Sequence, residues 1–230
     1  IRDLTVTGFR RVLFRSFNEY EEDLNTKHPE LIKETYKKAK GKPFFTFLQF
    51  SRIHTVTVTD VLKKFEWDDK KFYNNKKNNL KIYDKVFREA GIYAKKIRNI
   101  VDKLGNSDNT ILIFFTDHGT GIGERFGERN YGSFTYEETI RTFYHFIGPK
   151  IKKNSKSESL LSSVDIFPTI LDLCRIPVKE KQPGTSFAEF LTSATKLENN
   201  KFTFSETGAL HGPYPDRKST RLNSSHSEIS

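Results

Sequence analysis

The fold is decided by the stretch I-L-I-F-F-T-D-H-G-T-G-I-G-E-R-F-G-E-R, residues 111–129. Its first five residues are apolar and favour a β-strand, which is followed by Asp117, His118 and a loop with four glycines. In open α/β sheets, ligands collect where the strands end. Carboxylate and imidazole groups bind Zn²⁺, and a carboxylate with further oxygen donors also suits Ca²⁺ or Mg²⁺. The stretch therefore predicts a metal site at Asp117 and His118, and the alternative is an ordinary turn with an exposed aspartate.

Apolar periodicity predicts the elements around this stretch. Ten apolar residues, spaced mainly three or four apart, form one helical stripe over residues 83–104. The polar residues 68–79 before it are expected to form a surface excursion. Asp165 is expected to cap a short helix. The remaining predicted elements are helices at 29–40 and 165–173 and strands at 44–50, 110–115, 142–147 and 202–205.

The order strand, helix, strand over residues 44–115 predicts a βαβ crossover. Such crossovers are almost always right-handed and join parallel strands. Parallel strands end at the same edge of a sheet, so we expect His54, just after the first strand, to face the edge that carries Asp117 and His118. The expected fold is therefore α/β, with a mostly parallel central sheet.

Composition limits the class of protein. With 35% hydrophobic and 13% aromatic residues among 230, the chain is expected to fold around a core. The single cysteine, Cys174, excludes an internal disulfide and lies in an apolar helical pattern, so we expect it to pack inside. No apolar run approaches the roughly 20 residues of a membrane-spanning helix. We recognise no nucleic-acid-binding motif.

The two ends of the chain differ in composition from its middle. Lysine outnumbers arginine 25 to 7 over residues 17–215, whereas the flanks contain one lysine and six arginines. The end segments R-V-L-F-R-S and R-K-S-T-R-L-N-S-S-H resemble translated adapter sequence. We therefore expect residues 1–16 and 216–230 to be foreign. The native span, 17–215, carries a net charge of about +6, which can attract anionic substrates.

Four blocks of sequence carry a family resemblance when taken together. They are T-D-H-G-T-G-I-G-E-R-F-G-E-R with Y-E-E-T-I-R-T-F, then S-V-D-I-F-P-T-I-L-D-L-C-R-I-P, P-G-T-S-F and F-S-E-T-G. In this order, over residues 44–215, they resemble the sulfatase family of the alkaline phosphatase superfamily. The resemblance implies an α/β/α sandwich and metal-dependent hydrolysis of sulfate esters. Calcium is the expected metal, with Mg²⁺, Mn²⁺ and Zn²⁺ as alternatives, and a small anionic ester is the expected substrate.

The family pattern is incomplete in this chain. Sulfatases carry an N-terminal pair of metal-binding aspartates and a cysteine or serine that is oxidised to formylglycine, and neither lies upstream of residue 44. The resemblance therefore implies the C-terminal portion of a catalytic domain whose N-terminal part is missing. We expect this fragment to be inactive alone, because the formylglycine nucleophile belongs to the missing segment.

The resemblance also implies roles for two further side chains. His54 falls where family members place a substrate-contacting histidine, which implies a catalytic role. Arg129 is the basic residue nearest to the lysine with which relatives hold the sulfate, and Arg125 is the competing choice. A guanidinium can bind a tetrahedral anion through two parallel hydrogen bonds.

Two other functions stay open on the sequence. The parent protein could be a phosphoesterase, phosphomutase or phosphoethanolamine transferase, since the same superfamily also uses threonine or serine nucleophiles. The chain could instead be a non-catalytic anion-binding domain, which would bind no metal.

Overall fold

The computed structural model describes residues 23–65, 70–129, 134–177, 180–193, 195–197 and 202–206. The chain divides into two compact units, Ile1–Thr110 and Ile111–Ser230. The predicted foreign ends, residues 1–16 and 216–230, lie outside the described residues. No helix in the described part of the chain combines the length and the apolarity that crossing a membrane requires.

The regular elements of the N-terminal unit are helices. They are α1 (Asp23–Ala39), α2 (Arg52–Val56), a π-helix (Thr57–Leu62), α3 (Lys70–Asn74), α4 (Lys76–Lys103) and a 3₁₀ turn (Ser107–Asn109). Helix α4 contains the predicted stripe, with Val86, Ile97 and Val101 buried. The π-helix and α3 pack Val61, Leu62 and Phe72 into one apolar cluster. Much of the surface excursion predicted at residues 68–79 is therefore helical, and its Phe72 side chain is fully buried.

A histidine–tyrosine contact joins α1 to α4. The buried His28 ring is hydrogen-bonded through Nδ1 to the hydroxyl group of Tyr93, and Phe50 stacks on the Tyr93 ring with 4.4 Å between centroids. Burial lowers the pKa of His28 to about 4, so its ring is neutral at pH 7. Helix α1 begins six residues before its predicted start and includes Pro29, although proline lacks the N–H of an interior helical hydrogen bond.

The strand predicted at residues 44–50 is wrong. These residues form no strand, Phe45 is exposed, and Phe50 contacts a helix instead. A strand needs a neighbour to satisfy its backbone N–H and C=O groups, and no described strand pairs with this segment. The predicted strand at 202–205 is also wrong, because residues 202–206 are irregular. The mostly parallel central sheet is therefore not found among the described residues.

The C-terminal unit contains a small antiparallel sheet. Strands β1 (Leu112–Phe115) and β2 (Tyr144–Ile147) pair in antiparallel register, and both lie within predicted strands. The helical elements of this unit are α5 (Glu137–Ile140), a 3₁₀ turn (Ser163–Asp165), α6 (Ile166–Leu173) and α7 (Ala188–Thr192). Phe146 of β2 meets Phe187 edge-to-face at 5.6 Å, and Leu191 completes this core.

Asp165 links two of the sequence blocks through hydrogen bonds to its carboxylate. Its Oδ2 accepts a hydrogen bond from the backbone N–H of Ser162 in a capping box, and its Oδ1 accepts one from Thr185, each at 2.8 Å. Asp165 occupies the predicted N-cap position of α6, but its side chain makes no cap hydrogen bond to that helix and is instead the last residue of the capping box that begins at Ser162. The same carboxylate also holds the P-G-T-S-F loop. A Cβ at Gly184 would lie 2.1 Å from the Val164 carbonyl oxygen, so only glycine allows this approach.

Cys174 does not pack inside as predicted. Helix α6 ends at Leu173, and Cys174 lies at its C-terminal cap with an exposed side chain. The predicted end of the helix at residue 173 is correct, so Cys174 follows the apolar pattern instead of belonging to it.

Candidate metal and anion site

Asp117 and His118 lie directly after β1, where the strand bends into a loop. The Asp117 side chain is 78% exposed, and its Oδ1 accepts a hydrogen bond from the backbone N–H of His118 at 3.0 Å. This bond turns the carboxylate toward the neighbouring residue. The two side chains therefore lie together rather than on opposite faces of a strand.

The hydrogen bonding of the His118 ring sets which nitrogen can bind a metal. Nδ1 lies 2.7 Å from the carbonyl oxygen of Gly119. A carbonyl oxygen only accepts, so Nδ1 carries the proton, and in the neutral ring Nε2 carries the lone pair. Nε2 lies 3.8 Å from Oδ2 of Asp117. One cation at the usual ligand distances of about 2.0–2.6 Å could contact both atoms.

The pair is only part of a coordination shell. Within the part of the chain that the structure describes, no group of three or more histidine, cysteine, aspartate or glutamate side chains could hold a metal ion. A bound metal would therefore need ligands beyond Asp117 and His118.

Gly119 holds the site loop against α5. Its N–H donates a hydrogen bond to the carbonyl oxygen of Thr139 at 2.8 Å. A Cβ at this position would lie 2.3 Å from the carbonyl oxygen of Glu138. The backbone approach therefore requires glycine, and it fixes the path of the chain just after the candidate ligands.

The tripeptide Gly-Glu-Arg occurs twice in the loop, and its first copy, residues 123–125, is engaged locally. The carboxylate of Glu124 accepts a hydrogen bond from the N–H of Ile122 at 2.7 Å. Arg125 donates to Glu138 at 2.8 Å, and its guanidinium lies 4.6 Å above the ring of Tyr136. Arg125 is thus already held by a carboxylate and an aromatic ring.

In the second copy, residues 127–129, the glutamate and the arginine are buried. Glu128 is 1% exposed and Arg129 is 5% exposed, whereas Glu124 and Arg125 are both exposed. Neither carboxylate oxygen of Glu128 has a hydrogen-bond partner among the described residues. Burial, and secondarily the charge of Glu138, raise the pKa of Glu128 to about 7. Glu128 was not predicted from the sequence, because nothing in the repeated tripeptide shows which copy is buried.

His54 is not placed as the sequence predicted. It lies in α2 with an exposed side chain and does not follow a strand, since residues 44–50 form none. It belongs to the N-terminal unit, whereas Asp117, His118 and Arg129 belong to the C-terminal unit. The predicted shared sheet edge is therefore wrong, and the catalytic role of His54 rests on the family resemblance alone.

A comparison with protein families matches the model described as Sulfatase to residues 11–176, well over half of the chain. The chain belongs to the sulfatase family. This finding confirms the resemblance carried by the four sequence blocks and places the chain in the alkaline phosphatase superfamily.

Individual sulfatases agree with the family assignment. Arylsulfatase K of Mus musculus is 30% identical over 129 residues, which is 56% of this chain and 23% of that protein. The N-acetylglucosamine-6-O-sulfatase of Bacteroides thetaiotaomicron is 34% identical over 104 residues, 44% of this chain and 18% of that protein. The chain thus spans less than a quarter of the length of either relative.

A solved structure supports the α/β fold of this sulfatase-family chain. The Bacteroides thetaiotaomicron protein BT33336S-sulf, linked to the metabolism of multiple glycosaminoglycans, superposes with a TM-score of 0.57 at 22% identity. The match covers 81% of this chain and 40% of that one. At this identity the likeness concerns the fold.

Proposed function

We propose that this chain is the C-terminal portion of the catalytic domain of a sulfate-ester hydrolase, with Asp117 and His118 as ligands of its divalent metal. The observation that carries the proposal is the His118 ring, whose Nδ1 is hydrogen-bonded to Gly119 and whose Nε2 lies 3.8 Å from Oδ2 of Asp117. A backbone acceptor on one ring nitrogen is the usual device that orients a metal-binding histidine. Membership of the sulfatase family supports the reaction class.

Each site residue has a proposed task in the complete parent protein. A divalent metal supplies positive charge to the nucleophile and to the ester oxygens. Arg129 binds the sulfate oxygens, a task inferred from its position nearest to the lysine with which relatives hold the sulfate. His54 donates a proton to the leaving oxygen, a task inferred from the family position.

The proposed substrate is a sulfate ester on a sugar. The similarity to an N-acetylglucosamine-6-O-sulfatase supports this choice. The proposed native part is residues 17–215, folded in the parent as part of an α/β/α sandwich. The formylglycine nucleophile belongs to the segment that this chain lacks, so the chain alone has no turnover.

Calorimetric titration of the full chain with Ca²⁺, Mg²⁺, Mn²⁺ or Zn²⁺ tests the metal site. We expect weak binding of at least one ion, with a dissociation constant on the order of 10⁻⁴–10⁻³ M because part of the shell is absent. Asp117→Ala and His118→Ala should each abolish it, whereas Asp108→Ala, at an exposed carboxylate, should not. A heat of binding unchanged in both site variants, or none for any ion, would overturn the proposal.

Assays on an aryl sulfate and an aryl phosphate test the inactivity of the chain. With each metal present, we expect hydrolysis no faster than that of the Asp117→Ala variant. Robust turnover that disappears in Asp117→Ala would show that the nucleophile lies within these 230 residues.

A further inference from the structure

A groove of about 430 Å³ runs between α1 and α4 in the N-terminal unit. Helix α4 contributes Ile92, Lys95, Lys96 and Lys103 to its lining, and α1 contributes Glu30 and Lys33. The α4 residues recur at helical spacing, so they form one stripe of about three turns along the groove.

The described residues provide no ion pair that balances the positive charge of the groove. The ion pairs among the described residues include none of its four lysines. Among the described residues that line the groove, Glu30 is the only acidic one, which leaves these residues with a net charge of +3. Ile92 is 71% exposed and adds an apolar surface beside the lysines.

The spacing of the lysines fits a long anion better than a small one. Lys95 and Lys103 are eight residues apart, or roughly 12 Å at the helical rise of 1.5 Å per residue. A chain with repeated anionic groups can meet each lysine with a different group, and several weak contacts on one chain reinforce each other. We propose that this groove binds a linear sulfated polysaccharide along α4, at a site separate from Asp117 and His118.

The choice of ligand class rests in part on the proposed function, which makes sugar sulfates the substrate. A polymer of such esters would supply both the anionic groups for the lysines and an apolar C–H surface for Ile92. Single-stranded nucleic acid is disfavoured because the lining residues that the structure describes include no aromatic side chain, and base stacking on aromatic rings is its usual means of binding.

Binding of fluorescent dextran sulfate to the full chain at low ionic strength tests the inference, with unsulfated dextran as the matched polymer. The groove variant is Lys33→Gln/Lys95→Gln/Lys96→Gln, and the control is Lys150→Gln/Lys152→Gln/Lys153→Gln, which removes the same charge elsewhere. Lysine and glutamine have similar helix propensities, so the helices should persist. We expect affinity about tenfold weaker in the groove variant and less than about twofold weaker in the control.

The outcomes separate this inference from the proposed function. Equal losses in the two triple variants would show an effect of net charge alone and would overturn the groove, as would equal binding of unsulfated dextran. Tighter, groove-dependent binding of duplex DNA would overturn the ligand class. Loss of polymer binding in Asp117→Ala would move the site to the candidate metal ligands. Retained polymer binding in a chain that binds no metal would support the groove while the proposed function fails.

Discussion

At the scale of single residues, Glu128 carries a carboxylate that the fold buries without a hydrogen-bond partner among the described residues. A buried charge of this kind is costly, and the pKa of about 7 shows how the fold limits the cost, by keeping the proton on the carboxyl below neutral pH. The folded-state pKa lies above the unfolded value near 4.5. The contribution of the protonated Glu128 carboxyl to the free energy of unfolding is therefore fully present below pH 4.5 and is lost as the pH rises through 7.

Replacing Glu128 by glutamine should remove this pH dependence. We expect Glu128→Gln to raise the free energy of unfolding by about 1–3 kcal/mol at pH 8, because no buried charge then forms. The difference should shrink toward zero near pH 4.5. Urea denaturation at a series of pH values measures it, and Glu124→Gln in the exposed copy of the tripeptide is the control. A difference between the two proteins that stays constant from pH 4.5 to about pH 8 would contradict the raised pKa of Glu128.

A second residue-scale prediction concerns the glycine after the candidate ligands. Gly119→Ala places a Cβ 2.3 Å from a backbone oxygen. We therefore expect the free energy of unfolding to fall by about 1–3 kcal/mol and metal binding to be lost. Gly91→Ala is the matched control, because nothing lies within 4 Å of its Cβ and the helix gains about 0.5–1 kcal/mol. Thermal unfolding and the metal titration measure both. Wild-type metal affinity in Gly119→Ala would show that this close approach does not position the site.

The candidate site was predictable from the sequence only in part. Asp117 and His118 follow a short apolar strand, a local signal that the chain carries in full. The burial of Glu128 and Arg129 depends on how the loop folds back, which a repeated tripeptide cannot reveal. The ion pair that holds Arg125 likewise depends on Glu138, which is thirteen residues away in the sequence.

At the scale of elements, predictability follows the range of the interactions. Helix α4 was predicted because its hydrogen bonds and apolar stripe are local. Strands β1 and β2 were predicted, and they pair with each other within the C-terminal unit. The aromatic run at residues 44–50 had the composition of a strand, yet a strand exists only with a partner, and Phe50 packs on Tyr93 instead.

The contact between α1 and α4 gives a prediction at this scale. Tyr93→Phe removes the hydroxyl partner of the buried His28, so we expect a loss of about 1–3 kcal/mol at pH 7.5. Tyr36→Phe, in a tyrosine without a described hydrogen bond, should change stability by less than about 0.5 kcal/mol. Chemical denaturation measures the stability of both variants. Equal losses would show that the hydrogen bond between His28 and Tyr93 contributes no more than the hydroxyl group of Tyr36.

The same contact predicts a response to acid. Because burial holds the pKa of His28 near 4, below its unfolded value of 6.5, its stabilising contribution is present above pH 6.5 and is lost as the pH falls toward 4. His28→Gln should flatten this fall.

At the scale of the whole molecule, family membership and activity are separate properties. Four sequence blocks in a fixed order are enough to identify the family, since the order of the blocks survives in a partial chain. The sheet did not follow from the same blocks, because a strand needs a partner and residues 44–50 pair with no described strand. The proposed inactivity of the chain rests in turn on the resemblance, which implies a nucleophile upstream of residue 44.

Long-range proton–nitrogen NMR of the histidine side chains tests the central claim most directly. The account predicts that His118 carries its proton on Nδ1 at pH 8, and that adding a divalent metal shifts the Nε2 resonance in the wild-type chain but not in Asp117→Asn. A proton on Nε2, with no shift at any metal concentration, would contradict it.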